Sequence, residues 1–246
     1  MDLGLDGWRV LVTGGTSGVG QAIAAELAAE GAAVAAAGRS ASADSGSGPG
    51  TGIPVIGADL TTPEGAEALI AEAVDLLGGL DGLVLGAGGA VEGALEEVDD
   101  ATLQYALELN LLASARAIRA AVPALRHSPG RILLLTARSA SEPRAGHGPS
   151  NMAKAGLAAL GKTASREFAS DGILVNCLAP GRLRSRQVDR AFDPEARERF
   201  ASAHIPLGRF GDPEEAAPVA ALLISPRNTY ITGETVHVDG GMGQSL

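Results

Sequence analysis

Short apolar runs alternate with longer stretches of helical spacing along the chain. Trp8 to Val12, Ala32 to Ala37, Pro54 to Gly57 and Gly82 to Leu85 are too short for helices and read as strands. Between them, Val19 to Ala29 and Glu64 to Leu77 repeat apolar positions every three or four residues, which predicts helices. The alternation continues through a helical stretch from Asp100 to Leu125, a strand from Arg131 to Thr136 and a helix from Asn151 to Ala169. A strand from Ile173 to Leu178, a helix from Pro213 to Leu223 and a strand from Thr235 to Val238 complete it. Asp212 is placed to cap the Pro213 helix, with proline at its first position. Strands and helices in alternation imply a mostly parallel sheet covered on both faces. The expected fold is a single doubly wound α/β domain over residues 1–246, with seven strands. The low-complexity stretch 40–52 is expected to be a flexible surface loop, since the alternation resumes after it.

Composition narrows the classes of function. The 246 residues are 46% hydrophobic, enough to fill a core, yet no run approaches the ~18 apolar residues of a membrane helix. Cys177 is the only cysteine, which excludes an internal disulfide and a thiolate zinc cluster. His127, His147, His204 and His237 show no metal-ligand spacing, so no metal is expected. The net charge of −10 argues against nucleic acid as a partner. With no basic segment at Met1 to Asp6, a soluble cytoplasmic protein is the expectation. Only Lys154 and Lys162 among the 19 basic residues are lysines.

The first chemical signal is Thr13-Gly14-Gly15-Thr16-Ser17-Gly18-Val19-Gly20, between the first strand and the first helix. Glycines there let the backbone approach a pyrophosphate whose charge rests at the helix N-terminus. The spacing T-G-x-x-x-G-x-G resembles that of the short-chain dehydrogenase/reductase family, and further matches follow in order. They are Asp59-Leu60, Ala87-Gly88, Asn110, Lys154, Pro180-Gly181 with Ser185, the segment Pro206 to Glu215, and Val238-Asp239-Gly240-Gly241. The resemblance covers residues 7 to 243 and implies a Rossmann-like domain. It also implies a nicotinamide cofactor held by Gly14, Thr16, Ser17, Gly18, Val19, Gly20, Arg39, Asp59, Leu60, Ala87, Gly88, Lys154, Pro180, Gly181, Leu183 and Ser185. At the end of the second strand, Gly38-Arg39 replaces the acid that binds a free adenosine ribose. Arg39 suits a 2′-phosphate, so NADP(H) is favoured over NAD(H).

The resemblance breaks down at the chemistry. The family uses a tyrosine, a lysine four residues later, a serine thirteen residues before the tyrosine, and an asparagine. Here Asn110 and Lys154 match, but Ser150 stands in the tyrosine position and Ala137 in the serine position. An alkanol is far less acidic than a phenol and a ring shorter, so Ser150 cannot transfer the proton from the same place. Loss of general acid catalysis typically costs about 10²–10⁴-fold. The catalytic candidates are therefore Asn110, Lys154, Ser150 and His147, with His147 a substitute acid or a plain loop histidine. Thr136, on the opposite strand face, and Cys177, a small packed residue, are set aside.

Arginines gather on the expected substrate side: Arg138, Arg144, Arg182, Arg184, Arg186 and Arg190, the last four within a substrate lid at 182–210. They suggest a small-molecule substrate that is anionic or carrier-bound, with Arg138 and Arg184 as contacts, or else a salt-bridged lid. The leading expectation is an atypical NADP(H)-dependent oxidoreductase whose substrate needs little enzyme-supplied proton. A catalytically silent cofactor-binding sensor or partner subunit, and a non-redox cyclase, isomerase or dehydratase, remain open. The alanine-rich helices 100–125 and 151–169 resemble those that pair between subunits in the family, which implies a homotetramer or homodimer.

Overall fold

The computed structural model describes residues 2–39, 52–185, 188 and 193–245. The expected loop at 40–52, apart from Gly52, and the lid residues Arg186 and Arg190 lie outside the described residues. The strands are β1 (Arg9–Thr13), β2 (Ala33–Gly38), β3 (Val55–Gly57), β4 (Gly82–Leu85), β5 (Arg131–Leu135), β6 (Leu174–Pro180) and β7 (Thr235–Val238). They form one sheet in the order β3-β2-β1-β4-β5-β6-β7, with every pairing parallel. The order reverses direction between β1 and β4, which opens a crevice at the carboxyl ends of those strands.

The period-two alternation of the strands assigns each side chain to a layer. Leu11 of β1, Leu83 of β4 and Ile132 and Leu134 of β5 face one core, packed by α2 (Pro63–Leu77), α4 (Ala113–Leu125) and α5 (Gly148–Glu167). Val10 and Val12 of β1, Val84 of β4 and Leu133 of β5 face the other core, under α1 (Gly18–Ala29) and α7 (Pro213–Ile224). Alanines dominate both α1 and α7, and small side chains bring the pair into close contact over the sheet.

The elements differ from the sequence expectation in four places. The stretch 100–125 is α3 (Asp100–Leu107), a π-helical turn (Glu108–Leu112) and α4, because one extra residue is accommodated around Asn110. Helix α5 begins at Gly148, so Ser150 lies in its first turn and not in a loop with His147. Strand β6 runs to Pro180 because its pairing with β7 continues as far as Val238. The lid segment holds a helix the periodicity did not show, α6 (Pro194–His204), started by Asp193, whose carboxylate accepts from Ala196 N–H at 2.6 Å. Ala201 of that helix joins Val188, Ile205 and Phe210 in a small satellite core.

Asp81 and Arg9 fix the amino ends of the two central strands together. The Asp81 carboxylate accepts from Arg9 N–H at 3.0 Å, Nε at 2.7 Å and Nη2 at 2.7 Å. Burial opposes its charge, but the hydrogen bonds from Arg9 outweigh burial and hold the carboxyl below its usual range. A lowered carboxyl stabilises the fold above its unfolded value near ~3.9 and loses that contribution as pH falls through the folded value. Asp81→Asn is expected to lower stability at pH 7 by about 2 kcal/mol. It should also flatten the loss of stability below about pH 4, read by urea denaturation at stepped pH.

Candidate cofactor and active site

A cleft of about 620 Å³ runs along the carboxyl edge of the sheet, from Arg39 and Asp59 past the glycine turn to Arg144, Ser150 and Met242. Of the fourteen positions before residue 182 expected to meet a cofactor, thirteen line the cleft: Gly14, Thr16, Ser17, Val19, Gly20, Arg39, Asp59, Leu60, Ala87, Gly88, Lys154, Pro180 and Gly181. Leu183 and Ser185 line it beyond them. Gly18 opens α1 but does not face the cleft, and Asn110 and Arg184 are not among its lining residues.

The glycine turn is shaped by backbone crowding. Gly14 has φ +67°, and a Cβ there would stand 2.5 Å from Gly86 O across the β1–β4 crevice. A Cβ on Gly20 would stand 2.3 Å from Gly14 O, so the helix enters directly beneath the turn. Thr13 Oγ1 ties the two strand ends by accepting from Gly86 N–H at 3.1 Å and Ala87 N–H at 3.2 Å. Ser17, the residue before α1, makes no side-chain cap, and no acidic residue stands in the first helical turn. The first N–H groups of α1 are therefore open toward the cleft, a setting that fits the pyrophosphate of a dinucleotide.

The Arg39 end of the cleft is shaped by size and charge. A Cβ on Gly38 would lie 2.6 Å from Thr16 Oγ1, so Thr16 fills the place of an acidic side chain. Arg39 is exposed at the rim. The Asp59 carboxyl is lowered, first by Thr61 N–H at 3.0 Å and Thr61 Oγ1 at 2.7 Å and then by the charge of Arg39. Asp59 thus shapes its own turn beside the cleft.

At the other end, Lys154 reaches the cleft floor, where its Nζ donates to Leu135 O at 3.0 Å. Burial draws its ammonium down to about 8. Asn110 is buried in the π-helical turn, donating to Ala106 O and accepting from Gly89 N–H, both at 3.1 Å. It holds the strip 87–89 against the cleft without facing it. A Cβ on Gly88 would meet Asn110 Oδ1 at 2.7 Å.

Ser150 Oγ accepts from Val91 N–H at 2.7 Å and donates to Val91 O at 2.9 Å. Its proton and a lone pair are both committed to one residue of the loop after β4. Gly93 N–H donates to Gly146 O at 2.9 Å and Gly148 N–H to Gly93 O at 3.3 Å, which extends the same stitch. Thr136 and Ala137 both line the cleft, with Thr136 Oγ1 donating to Leu178 O at 3.2 Å, and the Cys177 thiol is pushed up to about 11 by burial. Glu92, Asn151 and Met242 also line the cleft and were not singled out from sequence. They lie beside recognisable motifs but belong to residue types that carry no signal of their own. Asn151 Oδ1 is buried with no hydrogen-bond partner among the described residues.

The arginines divide by partner. Arg138 lines the cleft but is paired with Glu142, whose carboxyl is lowered to about 2 by Ser245 N–H, Gln244 N–H and then Arg138. Arg184 is paired with Asp212 at 3.3 Å. Arg182 lies over the Phe200 ring at 5.4 Å.

Known proteins share this fold. The family described as enoyl-(acyl carrier protein) reductase matches residues 14–243. The 3-oxoacyl-[acyl-carrier-protein] reductase FabG of Vibrio cholerae is 35% identical over 243 residues, 98% of this chain and 99% of that protein. The crystal structure of L-sorbose reductase from Gluconobacter frateurii, complexed with NADPH and L-sorbose, superposes with a TM-score of 0.91 at 32% identity over 100% of both chains. An NADH-dependent reductase responsible for alginate metabolism superposes with a TM-score of 0.88 at 30% identity over 98% of each chain. With a matching family over nearly its full length and relatives aligned end to end, the chain belongs to the short-chain dehydrogenase/reductase family.

Proposed function

We propose that the protein is an NADP(H)-dependent oxidoreductase that works without a phenolic proton donor. The observation that carries this reading is the double hydrogen bond of Ser150 to Val91, at the position the family motif reserves for tyrosine. A hydroxyl bound both ways to a peptide has no proton to offer a substrate. The methyl group of Ala137 offers none either. The bound nicotinamide would supply or take the hydride. The α1 N-terminus and its glycine turn would hold the pyrophosphate, Arg39 the 2′-phosphate, and Lys154 the nicotinamide ribose. Asp59 and Leu60 would border the adenine, and Pro180, Gly181, Leu183 and Ser185 the nicotinamide. Asn110 acts as a positioning residue through Gly89.

A substrate suited to this site needs little proton from the enzyme, as with an iminium or a conjugated system. The same engagement of Ser150 favours, as a second reading, a catalytically silent cofactor-binding protein. Consumption of NADPH with any acceptor separates the two. Tyr105, Leu112 and Met152 are exposed on the helical elements from α3 to α5, and we take them as the seam of a homodimer or homotetramer.

Because one solved relative holds NADPH and another is NADH-dependent, the preference rests on this chain's own Gly38-Arg39 pair. Calorimetric titration should give NADPH an affinity about tenfold or more above NADH, the size of one charge-assisted phosphate contact. Arg39→Ala should erase the difference. Equal affinities in the wild type, or an NADH preference, would sink the assignment.

Ser150→Ala should cost about 1–2 kcal/mol, since the Val91 N–H and C=O lose their partner. Thermal unfolding should shift down by a few degrees, and hydrogen exchange should rise at residues 91–93. Unchanged exchange there would show that the hydroxyl is not what holds the loop.

A further inference from the structure

We propose that Arg144 is the anchor for a carboxylate on the substrate, so that the cleft takes small organic acids. The proposal rests on the cleft's being an NADP(H) oxidoreductase site and names the substrate class that site takes.

The argument begins with which cations at this end of the cleft keep their charge available. Arg138 is neutralised by Glu142, which the chain end also holds through Gln244 N–H at 2.5 Å and Ser245 N–H at 2.7 Å. Arg184 is paired with Asp212 and does not line the cleft. The stem of Lys154 comes up from the floor, and its Nζ is turned to Leu135 O. Arg144 differs from all of these. It lines the cleft, half-buried, and among the described residues no carboxylate lies within ion-pair distance of it.

Its side chain is nevertheless held. Arg144 Nη2 lies 2.5 Å from His147 Nε2, and His147 Nδ1 lies 3.1 Å from Ala145 O. A carbonyl can only accept, so Nδ1 carries the ring proton. Nε2 then presents a lone pair, which accepts from the guanidinium. The imidazole is thus a prop that carries no negative charge: it aims Arg144 without cancelling its charge. The backbone is fixed as well, since Asn151 Nδ2 donates to Arg144 O at 2.7 Å. Asn151 lies in the first turn of α5, one residue after the Ser150 clasp. A guanidinium held at both ends loses little freedom on binding, and its planar fork matches a carboxylate.

Among the described residues, Glu92 is the one acid lining this end of the cleft. Its Oε1 lies 3.3 Å from His147 Nε2 and its side chain is 67% exposed. It weakens the field that an incoming anion meets, so its removal should strengthen binding. This placement adds Arg144 to the expected substrate contacts, Arg138 being engaged by Glu142 and Arg184 by Asp212.

The test uses the full-length protein loaded with NADPH and three probes, 2-oxopentanoate, 4-oxopentanoate and 5-oxohexanoate, each beside its methyl ester. The NADPH titration is read first and separately. In wild type, at least one acid should bind about tenfold or more tightly than its ester. Arg144→Gln should remove that preference while keeping NADPH affinity, and Arg144→Lys should restore part of it. Arg126→Gln, a surface arginine paired with Asp171, should leave it intact. Glu92→Gln should raise the affinity for the acid. No preference for any acid, a preference that survives Arg144→Gln, or selective binding of phosphomonoesters instead would overturn the proposal. If NADPH itself fails to bind, the oxidoreductase reading falls, and the acid–ester comparison is still read on the cofactor-free protein.

Discussion

The contact between Gly14 and Gly86 is the constraint on which the rest depends. Two neighbouring strands end together, and the chain leaving β1 must turn into a helix while brushing the chain leaving β4. Only a residue without Cβ, at positive φ, passes through that gap. The turn then delivers the α1 N-terminus to the edge of the sheet with its N–H groups unspent. Every other part of the cleft is arranged around that fixed positive pole. Thr13 clamps the gap, Asn110 supports the strip after Gly86, and Lys154 rises on the far side.

Polar groups at the two ends of the cleft are disposed differently. At the Arg39 end the packing is sterically decided: Thr16 forbids a side chain at Gly38, and Arg39 is left exposed. At the other end the decision is made by hydrogen bonds. Ser150, Glu142 and His147 each use polar atoms on backbone or on neighbouring side chains. The wall there is built of peptides stitched to side chains, and few polar atoms are left to point inward.

The sheet was legible because alternation in strands such as Ile132 to Leu135 sorts residues between two cores, a pattern local to each segment. The glycine turn was legible because a tight approach tolerates few sequences. The π-helical turn at Asn110 was not, since the bond that Asn110 accepts there comes from Gly89 N–H, twenty-one positions away in the chain. Helix α6 was missed because it is polar on most of its surface and buries little beyond Ala201. Ser150 stands out in the sequence against the family motif, but its partner does not. Val91 is fifty-nine positions away in a loop with no motif, and its contribution is its peptide group. The pairing of Arg138 and Arg184 was hidden for the same reason: charge counts do not reveal which carboxylate folds back onto which arginine.

The Ser150 clasp also sets what a change at that position costs the loop. A phenol placed at residue 150 leaves the half-buried N–H and C=O of Val91 without their partner, and an unpaired peptide group that water only partly reaches costs about 1 kcal/mol or more. A tyrosine introduced at that one position therefore begins with a penalty in the loop, before any catalytic gain. The clasp works as a latch on the sequence: a side chain there that cannot bond both ways to Val91 makes a less stable protein, so the position is open to change only together with the loop after β4.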